Sequence, residues 1–172
     1  MANLATNPWS FTGTDVQVQT ISTITLNADG SVTVVGVGNL TAGMVQAAYV
    51  TIVGVTNALY NGFYKITAVT SATTAVLLPL QSDGQKPPTG TAASAGGTII
   101  LTQWRDNERI EDLSWQNITA AGDKLIIYDR NGFLLWSATG YAAGFQNRGK
   151  LFWCHGFAIA QMDSGTLLAT IN

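Results

Sequence analysis

The chain carries one thiol and one imidazole, and they are neighbours: Cys154 and His155. A cysteine nucleophile needs a base beside it and a third group to orient that base. The surrounding "KLFWCHGFAIAQM" reads as a strand, and consecutive strand residues point to opposite faces, so the two side chains diverge. The pattern favours Cys154 as a small buried apolar residue and His155 as a surface or turn residue before Gly156. A zinc centre needs three or four Cys, His or carboxylate ligands, which this pair does not supply alone. A single cysteine allows no internal disulfide, so the chain is compatible with folding in a reducing cytosol.

Carboxylates are the next candidates. "RDNERIED" brings Asp106, Glu108, Glu111 and Asp112 close together in sequence. The run lacks the Asp-x-Asp-x-Asp-Gly spacing of a calcium loop, and the interleaved Arg105 and Arg109 would balance its charge. A solvated loop is expected there. A small hydrolase would have to draw its acids from this loop, and nothing in the spacing marks one with a raised pKa. The Gly-rich "GVGNLTAG" (36–43) has no lysine after it and matches neither a P-loop nor a dinucleotide fingerprint. No catalytic residue, no metal site and no cofactor is assigned.

Of the five tryptophans, Trp115, Trp136 and Trp153 are flanked by Leu or Phe and are expected in the core. Trp104, beside the charged run, is expected at the surface. In a carbohydrate-binding module, the alternative from a different functional class, Trp104 or Tyr141 would stack on the sugar.

Charge is scarce in the elements that would position any site. The 172 residues are 47% hydrophobic and only 10% charged, with a net charge of −2; about 25% charged is usual for soluble domains. Residues 1–104 hold five charged side chains and residues 105–172 hold thirteen, six of them in 105–112. A surface of Thr, Ser, Asn, Gln, Gly and Ala defends weakly against association. That fits a protein packed among neighbours or outside a cell, and equally an ordinary polar β-domain. There is no Lys/Arg cluster, so the electrostatic footprint of a nucleic-acid binder is missing. The uncharged span between Asp29 and Lys65 is broken by Asn, Gln, Thr and six glycines, so no membrane-spanning segment is read there. The start "MANLATNPWSF" has neither the basic nor the apolar region of a signal peptide.

The elements read as all-β: antiparallel sandwich or small-barrel units, two in number, with an extended N-terminal arm. Residues 1–14 form the arm, with Trp9 and Phe11 as aromatic candidates held either by the chain's own core or by a neighbour. Residues 15–80 form the first β unit. In it Val16, Val18, Ile24 and Leu26 share one face, "NADG" turns a hairpin, and "AAYVTIVGV" is apolar on both faces and therefore central. "TNALYNGFYKIT" (56–67) raises Asn61-Gly62 as a tight turn before a strand with Tyr64, Ile66 and Ala68 on one face. A second hairpin crosses "TSAT", and Pro79 belongs at a strand end. Residues 81–97, with Pro87-Pro88 and four glycines, read as a linker or long loop. Residues 98–172 form the second β unit, where "DRNG" (129–132) turns the hairpin of "KLIIYDRNGFLLWSA".

The stretch "VTIVGVTNALYNGFYKITAVTSATTAVLL" (50–78) resembles a β-module that recurs in virion proteins of tailed bacteriophages, where a strand, an Asn-Gly loop, a second strand and a Ser-Ala-Thr-Thr turn follow one another. "GDKLIIYDRNGFLLWSATGY" and "LFWCHGFAIAQMDSGTLLATI" are similar to the C-terminal β-domain pattern of small auxiliary proteins of such phages. The resemblance implies a non-enzymatic virion structural protein, made in the host cytoplasm and carried on the particle. An auxiliary or decoration protein that bridges capsid subunits is the leading expectation; a tail, fibre or baseplate component is the alternative. Partners would be the major capsid protein or other virion proteins, with further copies of the chain in the assembled particle, and neither nucleic acid nor membrane. Asn3, Leu4, Pro8, Trp9 and Phe11 of the arm are the expected partner contacts, and removal of residues 1–14 is expected to leave the fold intact.

Overall fold

A computed structural model describes residues 8–40, 43–46, 48–80, 93–141, 144–147 and 152–171, with backbone only at 104–108, 152 and 155. The fold is all-β. Its strands are β1 (Trp9–Thr12), β2 (Val18–Leu26), β3 (Val32–Gly36), β4 (Tyr49–Val53), β5 (Gly62–Val69), β6 (Thr74–Pro79), β7 (Thr98–Gln116), β8 (Lys124–Asp129), β9 (Leu134–Thr139), β10 (Gln146–Asn147), β11 (Phe152–Met162) and β12 (Thr166–Ile171). Two single 3-10 turns, Gly13–Asp15 and Ala58–Tyr60, are the helical segments among the described residues.

The chain divides into two compact units. The barrel unit is Gln17–Thr102 with Arg130–Gly132; the sheet unit is Met1–Val16, Gln103–Asp129 and Phe133–Asn172. The division falls inside β7, between Thr102 and Gln103, and not at the Gly/Pro-rich stretch. Residues 81–92 of that stretch lie outside the described residues. Its end belongs to the barrel: Ser94 exchanges both backbone hydrogen bonds with Ile24 at 2.9 Å, and the Gly97 carbonyl accepts from the Ile21 N–H at 3.0 Å.

In the barrel unit six antiparallel strands close in the order β2–β3–β6–β5–β4–β7, and β7 returns to β2 through the pairs Val18↔Ile100, Gln19↔Ile99 and Thr20↔Thr98. Closure removes the open edges that a flat sheet would expose. The interior is filled by Ile21, Ile24, Val34, Val50, Ile52, Tyr64, Ile66, Leu77 and Ile99, all buried. Burying each aliphatic side chain contributes about 1.5–3 kcal/mol over leaving it in water, which outweighs the weak β-preference of the intervening glycines and asparagines. Tyr64 enters with its hydroxyl satisfied, donating to the Tyr60 carbonyl at 2.8 Å. Burial raises the pKa of that hydroxyl well above the usual tyrosine range.

Two strand readings are corrected here. In β2 the ladder passes from Ile21↔Gly36 to Thr23↔Val35, so Ser22 is an extra residue. This bulge turns Ile21 and Ile24 to the same interior, in place of the even-numbered face expected from Val16 to Leu26. In β5 a second bulge at Thr67, between Ile66↔Leu77 and Ala68↔Val76, ends the alternation after Ile66. The Asn61-Gly62 expectation also divides. Gly62 has φ +139°, whereas Asn61 sits at φ −71°. Asn61 acts through its side chain, whose Oδ1 accepts the Val55 N–H at 3.0 Å and fastens the β4–β5 loop.

In the sheet unit the strand order is β1–β12–β7–β11–β8–β9, with β10 also on β7. The run 105–112 is part of β7, not a loop. Its end is tied to β12 through Ile110 and Asp112. A bulge at Glu111, between Thr170↔Asp112 and Ile171↔Ile110, lets Ile110 and Leu113 both reach the core while Glu111 stays exposed. Trp115 follows in the same core with its Nε1–H donated to the Ser164 carbonyl at 2.8 Å. Strands β11 and β12, consecutive in sequence across "DSG", do not pair with each other among the described residues; β11 lies on β8, and β12 lies on β1 and β7.

One polar network fastens the β7–β8 loop to that turn. The Asp123 carboxylate accepts from the Ser164 hydroxyl and from the Ala120 N–H, and Ser164 Oγ accepts the Thr119 N–H at 3.0 Å. The Ser164 hydrogen bond, aided by those from Ala120 and Thr119, holds the Asp123 carboxyl below the ordinary carboxylate range.

Candidate interaction surface

The arm residues expected to meet a partner are distributed differently from the expectation. Asn3 and Leu4 lie outside the described residues. Pro8 is exposed, while Trp9 is half-buried against the sheet-unit core. Phe11 is wholly buried and meets Phe157 edge-on, with ring centroids 5.0 Å apart. Residues 9–12 are a strand in register with β12, Phe11 opposite Leu167. The Thr12 N–H is capped by Asp15 Oδ2 at 2.8 Å. Phe11 is therefore not an exposed aromatic, because the chain's own core covers it. Removal of 1–14 takes a core side chain and a paired strand with it, so the expectation of an intact fold does not stand.

Cys154 is buried, and its thiol donates to the Gly156 carbonyl at 2.8 Å. Among the described residues no group of three His, Cys, Asp or Glu side chains stands close enough to hold a metal ion. Of the acidic run, Asp112 accepts from Asn147 Nδ2 at 3.0 Å and Glu111 is exposed. The side chains of Asp106, Glu108, Trp104 and His155 lie outside the described residues.

The tryptophans sort into three environments. Trp115 is fully buried, Trp136 is partly buried against the core, and Trp153 is 71% exposed. Trp153 is thus misplaced by its Leu and Phe neighbours: alternation beside the buried Cys154 puts it on the other side. Gly156 takes φ +72°, a conformation open to glycine. The inward positions on β11 are then Cys154 and Phe157, three residues apart. Phe133, 66% exposed, precedes β9, and Leu134, 58% exposed, opens it opposite Tyr128 of β8. None of the three belongs to the core cluster. Alternation from a buried Cys154 would have placed Trp153 outside, whereas Leu134 escapes it because an extra residue, Leu135, resets parity in β9.

A shallow depression of about 540 Å³ lies at the far end of β7, lined by Gln116, Asn117, Ile118, Gly144 and Phe145. Tyr141 is 75% exposed and lies beside it: a Cβ built on Gly144 would fall 3.4 Å from the Tyr141 Cβ. Compared with protein-family models, curated proteins and solved structures, the chain finds no match.

Proposed function

We propose that the protein is a non-enzymatic structural component of a bacteriophage particle, an auxiliary or decoration protein bound on the capsid exterior and bridging capsid subunits. The observation that carries this reading is the outward placement of Trp153, Phe133 and Leu134 on a chain with so little surface charge. Folding gains little from large apolar side chains left in water. Covering each of them returns about 1.5–3 kcal/mol, and buried aromatic residues are the ones that dominate interface energetics. Weak single contacts suffice on a repeating lattice, where each bound copy bridges neighbours and multiplies avidity. The stretches at 50–78 and in the C-terminal third that resemble phage virion modules support the same reading. A tail, fibre or baseplate position uses the same surface with fewer copies.

The direct test is rebinding. Particles purified from a culture lacking this chain are mixed with the purified protein and sedimented. The intact protein is expected to bind saturably, and the double variant Trp153→Ser, Phe133→Ser to bind at least about tenfold more weakly with an unchanged melting temperature. Undiminished binding of the double variant contradicts the assigned surface.

A further inference from the structure

We propose that the depression at the end of β7 is a binding site for an uncharged saccharide, separate from the surface assigned to assembly. Among the described residues the lining carries no Asp, Glu, Lys or Arg, so these residues offer a charged ligand no compensating partner. What it offers is one exposed ring, Phe145, beside two carboxamides, with Tyr141 close by. Phe145 is 59% exposed and Tyr141 more so, and neither belongs to the core cluster; their rings stand in water for no benefit to the fold. Gln116 uses one amide hydrogen on Ser114 Oγ at 3.2 Å, and its Oε1 accepts no hydrogen bond among the described residues. The Asn117 carboxamide makes no hydrogen bond among the described residues either.

Asn117 is the one non-glycine residue with positive φ, +56°, among the described residues. That conformation is open to Asn and lets the chain leave β7 sharply, so that Ile118 returns to the core. The Ile118 N–H donates to the Gly144 carbonyl at 3.5 Å, which joins the two rims. Gly144 itself has no room for a side chain: a Cβ there would meet the Tyr141 carbonyl carbon at 3.2 Å.

The volume is of the order of small-molecule sites, yet the depression is open. A wholly apolar ligand would keep one side in water and gain little. A pyranose ring fits this division: its C–H face lies on the Phe145 ring, its hydroxyl edge donates to and accepts from the two carboxamides, and its outer face remains hydrated. The Phe145 ring and the carboxamides of Gln116 and Asn117 supply that chemistry.

The test is an array of immobilised neutral and anionic oligosaccharides probed with the intact chain, with Asn117→Gly and with Phe145→Ala. Asn117→Gly keeps a residue that tolerates φ +56° and removes only the carboxamide, so it isolates binding from folding. The intact chain is expected to bind neutral saccharides, and both variants to lose at least about tenfold of that signal. Absence of binding to any saccharide, preference for the anionic set, or full retention by either variant overturns the assignment.

Discussion

Gly97→Ala is expected to destabilise the barrel unit by about 2–5 kcal/mol, from a left-handed backbone penalty of about 1–2 kcal/mol and an overpacking term of about 1–3 kcal/mol. Gly97 has φ +83°, and a Cβ there would lie 2.7 Å from the Val53 carbonyl oxygen and 2.7 Å from the Val55 nitrogen. Both obstacles are backbone, and Val53 is tied to Thr98 in the β4–β7 ladder, so neither can retreat cheaply. The Gly97 carbonyl also accepts from Ile21, at the junction where β7 meets β2 to close the barrel. Gly96→Ala is the matched control in the same unit. Gly96 has φ +76°, and a built Cβ there meets only Thr56 Oγ1, at an ordinary 3.6 Å, so it bears the backbone penalty alone. Hydrogen exchange along β2, β4 and β7 measures the effect. Equal losses in the two variants would show that the predicted clash is relieved.

Trp115→Ala is expected to cost about 3–5 kcal/mol in the sheet unit, the range for emptying a large aromatic site. The ring is wholly buried and fills the space against two glycines. A Cβ on Gly140 would come within 3.2 Å of Trp115 Cη2, and one on Gly165 within 2.9 Å of Nε1. The substitution also leaves the Ser164 carbonyl without its indole partner, at a turn where Ser164 and Asp123 join two loops. Against a total stability of about 5–15 kcal/mol for a typical domain, this is enough to unfold the unit at modest denaturant. Guanidinium titration followed by circular dichroism checks it; a loss below about 1 kcal/mol would mean that the ring is not a principal core element. Trp115→Phe keeps most of the volume and should restore much of the loss.

The sequence made the strand content and the local hairpins legible, since "NADG", "TSAT" and "DRNG" are turn signals that act over four residues. It did not make the faces legible. Strand parity holds only while pairing is regular, and extra residues at Ser22, Thr67 and Glu111, together with positive φ at Gly156, reset it. That is why Ile21 joins Ile24 inside and why Ile110 and Leu113 both reach the core with Glu111 left outside. The closing of β7 onto β2 depends on residues far apart in the chain, so periodicity carries no trace of it. The exposed Tyr141 was anticipated; its companions Asn117 and Phe145 were not, because the depression forms only when the end of β7 and residues 144–145 come together.

The proposed role as a lattice component of a particle is a statement about copy number. It is tested by quantitative mass spectrometry of particles purified from the producing culture, with the main shell protein as the internal scale. This chain is expected in copies comparable with the shell protein. Copies at a small fraction of the shell protein would move it to a tail, fibre or baseplate, and its absence from purified particles would contradict the claim.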